Sequence, residues 1–135
     1  NLENITNLPN NVVNLSYTFN DCKKLTTIPY IPSKVENMHC TFLNCTNINT
    51  VNIVIPESVT NMQRTFYRCE NLSGTIEINA NLNGTIINDE TDYVAMFNYA
   101  AINTDCKIIL SGTCNMLNNI ISQAGNPNII LKESN

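Results

Sequence analysis

Hydrophobic positions recur with a fixed period through the first half of the chain. A skeleton of Val, Asn, Leu or Met, Thr, Phe and Cys starts at Val12, at Val35 and at Val59, which places successive copies 23 and 24 residues apart. A period of this length is typical of solenoids, because so short a unit cannot bury its own apolar side and stacks on its neighbour. The pattern predicts that the aromatic and thiol positions are structural core: Phe19, Phe42, Phe66, Cys22, Cys45 and Cys69.

Two local patterns alternate within each unit. Met38, Phe42 and Cys45 follow one another at the spacing of a helical face. Asn37 comes directly before them and has the side chain of a helix N-cap. Alternation with period two is typical of a half-buried strand, and it occurs at Val51, Ile53 and Ile55 and at Ile76 and Ile78 on either side of Glu77. In the first three units the predicted strand ends at a proline, which has no N–H for a sheet ladder: Pro9, Pro32 and Pro56.

The register loosens in the second half of the chain. Phe97 follows Phe66 by 31 residues, so the fourth unit is predicted to contain an insertion at about residues 79–92, with a two-residue turn at Asn83 and Gly84. The unit resumes with Tyr93, Phe97 and Ala100, where Ala replaces the cysteine and Phe97 joins the predicted core. Further strands are predicted around Ile108 and at residues 129–131.

These elements together predict an α/β fold. We expect one leucine-rich-repeat solenoid domain over residues 1–135, made of about five to six units of 23–24 residues. Short parallel strands form one face, and short helices or turns form the other. Because the predicted array opens directly on a strand, we expect it to continue upstream in a longer protein.

Composition excludes several classes of partner. The net charge is −4 and the seven basic residues are scattered, so no basic stripe for nucleic acid is present. No apolar run approaches the length that crosses a bilayer, so no membrane insertion is expected within this segment.

The cysteines and the single histidine have two possible roles, one in chemistry and one in core packing. Cys22, Cys45 and Cys69 repeat in one column, which favours buried reduced thiols over disulfides. Cys106 is predicted to face the core from a strand, whereas Cys40 and Cys114 are out of register and are expected to be partly exposed. His39 is the only histidine and lies at a variable repeat position, so we expect it to face solvent. We therefore predict no catalytic residue, no metal and no cofactor.

The sequence also resembles a known family. It is similar to the BspA-like leucine-rich repeats of bacterial and protist surface proteins, in the string Cys22-x-x-Leu25-Thr26-Thr27-Ile28, Ile31-Pro32, Val35, Phe42-x-x-Cys45 and in the Val-Thr-Asn-Met run at 59–62. Thr precedes each Phe of the skeleton where that family usually has Ala. The resemblance implies a right-handed solenoid, located outside the cell or at its surface, that binds other proteins or host surfaces.

Two regions are candidates for binding. Outward strand positions vary from unit to unit while the core stays fixed, which is typical of a recognition face: Thr27, Pro29, Thr50, Asn52, Thr75, Glu77 and Asn79. The insertion is the second region, since insertions in repeats often carry the binding, and it contains an acidic cluster of Asp89, Glu90 and Asp92. The sequence leaves two interpretations of this cluster: calcium coordination by its carboxylates, or a solvated loop.

We expect a non-enzymatic binding module that recognises a protein or glycan through the strand face, the insertion or both. The alternative is a structural spacer or stalk within a larger surface protein. An enzyme is not expected, because the chain offers no set of acid, base and nucleophile.

Overall fold

The computed structural model describes residues 2–112 and 114–132. The fold is mixed α/β, with one parallel sheet, one antiparallel pair of short strands and one short helix. The elements in chain order are β1 (Thr50–Ile55), β2 (Ser73–Ile78), β3 (Ile86–Ile87), β4 (Glu90–Thr91), β5 (Ile108–Gly112), α1 (Leu117–Ala124) and β6 (Ile129–Lys132).

The main sheet has the strand order β1-β2-β5-β6, and every neighbouring pair is parallel. Inward residues form rows across the sheet, and the central row is Ile53, Ile76, Leu110 and Leu131. The predicted alternation in β1 and β2 and the predicted strand at residues 129–131 are confirmed. Gly74 permits the close approach of β1 and β2, because its φ is 103° and a Cβ there would lie 2.1 Å from the Val51 carbonyl oxygen.

Four turn segments run along the other side of the described residues, at 15–22, 38–45, 62–69 and 93–100; we call this array the turn ladder. Each segment has two non-glycine residues with positive φ, four positions apart: Tyr17 and Asp21, Cys40 and Asn44, Arg64 and Arg68, Ala95 and Tyr99. Of the two alternatives predicted for this face, short helices or turns, the segments that contain the skeleton are therefore turns. Asn37 does not cap a helix, because its side-chain oxygen accepts from the His39 N–H at 2.9 Å and so closes a local turn.

Hydrogen bonds between segments explain why turns replace helices. Alternate N–H groups of each segment donate to carbonyls of the following segment, as from Met38 to Asn61 at 2.8 Å and from Phe42 to Thr65 at 3.0 Å. A left-handed residue costs roughly 1–2 kcal/mol. The bonds between segments offset that cost and satisfy N–H groups that a helix would have used internally.

The four phenylalanines form one stacked column inside the turn ladder. Centroid distances are 5.5 Å from Phe19 to Phe42, 5.8 Å from Phe42 to Phe66 and 5.2 Å from Phe66 to Phe97, with interplanar angles of 10–13°. All four rings are buried, as predicted.

The Thr and Cys of the skeleton bond to the preceding segment. The Thr41 and Thr65 hydroxyls donate to the carbonyls of Leu15 (3.0 Å) and Met38 (2.8 Å). The thiols three positions beyond the phenylalanines do the same, since the Cys45 thiol donates to the Phe19 carbonyl at 3.0 Å and the Cys69 thiol donates to the Phe42 carbonyl at 3.1 Å.

The first two units lack the predicted strands. Residues 2–9 and 25–32 contain no strand, and only isolated bridges join Asn14 to Asn37 and Asn37 to Asn61. In the second unit the reason is local: Pro29 and Pro32 remove two of the N–H donors that a ladder would need.

The second half differs from its prediction in two places. Asn83 and Gly84 do not form the hairpin turn, since both precede the β3–β4 pair, and the Asn83 side chain closes a local turn by accepting from the Thr85 N–H at 3.2 Å. The turn between β3 and β4 lies at Asn88 and Asp89, whose φ values of 50° and 66° suit a type I′ hairpin. Further on, α1 takes the place of a fifth turn segment, and its C-terminal Gly125 has φ 61°.

Candidate binding surfaces

The outer face of the main sheet presents two rows of side chains. One row runs Asn52, Thr75, Ile109, Ile130, and the other runs Val54, Glu77, Ser111, Lys132. Polar residues dominate at β1 and β2, whereas Ile109 and Ile130 make the first row apolar at β5 and β6. The face therefore has a polar and an apolar end, and it is less uniformly polar than the sequence predicts.

The structure brings together most of the predicted face. Thr50, Asn52 and Glu77 are exposed and Thr75 is half-buried, all on β1 and β2. Asn79 follows β2 directly and is half-buried.

Thr27 and Pro29 depart from the prediction. Neither lies in a strand, and Thr27 is exposed. Pro29 is buried, so it cannot contact a ligand from the outward face. The period-two pattern fails here because two prolines interrupt the backbone donors of this stretch.

An open groove of about 540 Å³ lies where β1, β2 and β5 begin. All its lining side chains except one thiol are hydroxyls, amides or a carboxylate: Thr26, Asn47, Asn49, Asn71, Ser73, Thr104, Asp105 and Cys106. Hydrogen bonds from side-chain amides fix part of the groove wall between units. The Asn47 amide donates to the Lys23 carbonyl at 2.6 Å, and the Asn71 amide donates to the Thr46 carbonyl at 2.8 Å. Asn49 and Asn71, which stand within two residues of the start of β1 and of β2, are a sequence signal that could have indicated this groove.

The cysteines outside the column are placed opposite to expectation. Cys106 is exposed and lines the groove, because it precedes β5 by two residues and does not share its alternation. Cys40 and Cys114 are buried. All six thiols are free. Burial raises the pKa of the Cys45 thiol to about 12, so this thiol stays protonated and can serve as a donor.

The three carboxylates of the insertion do not converge. Glu90 forms a two-point ion pair with Arg64, with Nη1 to Oε2 at 2.9 Å. Asp92 is buried and accepts from the Gly84 N–H at 3.2 Å, while Asp89 is exposed in the hairpin turn. No group of three His, Cys, Asp or Glu side chains within residues 2–112 and 114–132 could hold a metal ion, so the geometry does not favour the calcium reading.

His39 is half-buried, whereas the sequence predicted that it faces solvent. Its ring lies 5.2 Å from the Tyr17 ring, and its Nε2 is buried without a partner among the described residues. Burial, with a smaller effect from Arg64, lowers the pKa of His39. Burial raises the pKa of the neighbouring Cys40 thiol, so the pair lacks a thiolate near neutral pH.

Comparisons of the chain with protein-family models, with curated proteins and with solved structures found no match. Within the part of the chain that the structure describes, no helix has the length and apolar character needed to cross a bilayer.

Proposed function

We propose that this protein is a non-enzymatic recognition module, secreted or displayed at the cell surface, that binds a protein or a glycan. Its fold is a leucine-rich-repeat solenoid of the BspA-like type. The outer sheet face and the adjoining groove form the main contact surface, and the insertion at 79–92 contributes a second contact.

Contacts between units support the solenoid part of the proposal. The turn ladder repeats the same four backbone hydrogen bonds at each of three interfaces, for example from Leu15 to Asn37, from Met38 to Asn61 and from Met62 to Asp92. The stacked phenylalanines continue through the same interfaces. Each unit thus makes its main contacts with its neighbours, as expected of a repeat array.

One observation carries the binding proposal: exposed, side-by-side rows on the sheet lie next to an open groove lined mainly by hydroxyl and amide side chains. Hydroxyl and amide groups such as Thr26, Asn49 and Thr104 suit the hydroxyls of a sugar or the backbone of a peptide. Ile109 and Ile130 add an apolar area that suits a side chain or the C–H face of a sugar. Protein and glycan therefore both remain within the proposal.

Cys106 gives a direct test of the groove. It is the only exposed thiol of the described residues, so a maleimide-linked polymer should attach there and fill the groove. We expect the labelled protein to lose its ligands on protein and glycan arrays. Unlabelled Cys106→Ala should keep them.

A label placed elsewhere controls for bulk. Asn10→Cys in the Cys106→Ala background puts the same polymer on an exposed position of the first unit. Binding should survive that label. Equal binding with the label at Cys106 would contradict a role for the groove.

The insertion is better tested by substitution than by deletion. Ala80 and Leu82 are fully buried in the core, so removing residues 80–91 would remove core packing with the hairpin. Ile86 is 72% exposed at the hairpin, and Ile86→Lys should weaken a contact made there without disturbing the core. Undiminished binding by this variant would confine recognition to the sheet face and groove.

The alternative function is a structural spacer, which the regular stacking between units favours. Circular dichroism and cooperative unfolding would first establish that the protein is folded. A folded protein that binds nothing on either array would then favour the spacer over the recognition module.

A further inference from the structure

Two arginines of the third turn segment hold equivalent backbone positions and have different partners. Arg64 and Arg68 have φ values of 54° and 60°, and the N–H of each donates to a carbonyl of the fourth segment. The Arg64 guanidinium binds both carboxylate oxygens of Glu90. Within residues 2–112 and 114–132, no carboxylate pairs with Arg68 and no group accepts a hydrogen bond from its side chain.

Arg68 lies against two tyrosine rings. Its guanidinium carbon is 5.8 Å from the Tyr67 centroid and 5.5 Å from the Tyr99 centroid. The two rings meet edge to face, with centroids 5.5 Å apart and an interplanar angle of 80°, so they form a corner around the cation. Tyr99 is 54% exposed and Arg68 is exposed, which keeps this corner open to solvent.

This arrangement positions the Arg68 guanidinium to donate hydrogen bonds to an acceptor group on a ligand. The ring contacts use the charge of the guanidinium and leave its N–H donors available. They also restrict a long side chain in advance, which lowers the entropy cost of binding. Arg64 shows what the matching partner is, because its own N–H donors are taken by a carboxylate in two-point geometry.

We propose that Arg68, Tyr67 and Tyr99 form a binding site for a carboxylate group of an acidic segment in a partner protein. Tyr and Arg, together with Trp, are enriched among the few residues that contribute most of the binding energy at protein interfaces. One guanidinium is enough to bind a single Asp or Glu side chain. A densely charged polyanion would be repelled by the net charge of −4 on the protein. The guanidinium of Arg68 already lies over the Tyr67 and Tyr99 rings, so less aromatic surface remains for stacking a sugar.

The site is independent of the sheet face and the groove, since none of its three residues lines either of them. Its test is an NMR titration that follows the side-chain Nε–H signals of the two arginines. The probe is the blocked peptide acetyl-Gly-Leu-Glu-Leu-Gly-amide, and the control peptide carries Gln in place of Glu.

We expect a saturable shift of the Arg68 signal with the Glu peptide only, while the Arg64 signal stays in place because Glu90 already binds it. Arg68→Lys should weaken the peptide by about tenfold or more, since an ammonium cannot bind a carboxylate at two points. Tyr99→Leu should weaken it by a smaller factor. Backbone amide spectra of both variants establish that they are folded.

Three results would overturn the proposal. The first is an Arg68 signal that does not move up to millimolar peptide. The second is an equal response to the Gln peptide or an equal shift of Arg64. The third is a response to a uronic-acid oligosaccharide without a response to the peptide, which would assign the corner to an acidic glycan.

Discussion

The first and third copies of the skeleton carry the same residues in different surroundings. Thr65 and Cys69 are buried and donate to carbonyls of the second copy, whereas Thr18 is exposed and Cys22 is half-buried. Residues 2–11, which precede the first copy, contain no turn segment of the ladder to accept from them. The difference teaches that the repeat motif encodes an interface between units, so a residue of the motif acquires its structural role only when the neighbour is present.

The largest expected effect concerns the phenylalanine column. Phe42 stacks on both sides and is fully buried, so Phe42→Ala should lower the free energy of unfolding by about 3–5 kcal/mol. Phe19 has one stacking partner among the described residues, and Phe19→Ala should cost less. Urea denaturation of both variants measures the difference. Equal losses of unfolding free energy in the two variants would mean that the place of a phenylalanine in the column does not affect its contribution to stability.

The hydroxyl of the skeleton should show the same contrast on a smaller scale. Thr65→Val removes one of the two donors to the buried Met38 carbonyl, which keeps the Thr41 N–H at 3.2 Å, and should cost about 0.5–1.5 kcal/mol. Thr18→Val changes an exposed side chain and should stay within about 0.5 kcal/mol. Thr65→Ser, which keeps the hydroxyl, is the control. Similar losses for both valine variants in denaturation experiments would break the comparison.

Ion pairs extend the comparison beyond the skeleton. The third copy has the two-point Arg64–Glu90 pair, with side chains 37% and 31% exposed, and Glu90→Gln should cost about 0.2–1 kcal/mol, less at high salt. The first copy has the Lys24–Glu3 pair at 3.5 Å, which is more exposed. Lys24→Gln should be close to neutral in the same unfolding assay, and a larger loss there than for Glu90→Gln would contradict this ranking.

The smallest effect concerns the charge on Asp92, whose carbonyl accepts from the Met62 N–H of the third copy. Burial raises the pKa of the Asp92 carboxyl in the folded protein, and backbone N–H donors such as that of Gly84 partly oppose this. The folded state therefore binds this proton more tightly than the unfolded chain does. The contribution of Asp92 to stability is greatest below its ordinary pKa and is lost as the pH rises through the raised value.

Asp92→Asn should accordingly increase stability modestly at neutral pH, because its amide oxygen can still accept from Gly84 without a buried charge. The gain should disappear below the ordinary pKa of an aspartate. Unfolding measured at pH 7 and in mild acid tests both statements. A variant that is less stable than the native protein at pH 7 would show that the charge itself is needed.

The repeat period predicted the parts of the fold in which side chains set the structure. The phenylalanine spacing placed Phe19 through Phe97 in one column, the alternation in β1 and β2 identified two strands, and the apolar run at residues 129–131 identified β6. These features depend on which face is apolar, and that information is written directly in the order of residues.

The parts that were missed depend on the backbone. Apolar spacing near 3.6 residues fits a helix, and it equally fits turns with a left-handed residue at every fourth position, such as Cys40 and Asn44. Only the bonds between segments decide between them, and these involve partners about one unit away. Pro29 and Cys106 were misplaced for a related reason, since the strand pattern was extended to stretches that form no ladder.

The candidate surfaces divide in the same way. Asn52, Thr75 and Glu77 were found on the sheet face because alternation fixes their direction. The groove and the Arg68 corner combine side chains from different units, as with Tyr67 and Tyr99, and a single repeat gives no sign of which side chains will meet across an interface.

The turn ladder gives the molecule a polarity. At each of its three interfaces the N–H groups of the earlier segment point to carbonyls of the later one, so the peptide dipoles of these bonds, about 3.5 D each, add along the stack. The edge of the first segment is consequently rich in carbonyl oxygens and partially negative. A unit or a partner can extend the ladder at that edge only by offering N–H donors, and at the opposite edge only by offering carbonyl acceptors, which means that every added unit must point the same way as the others.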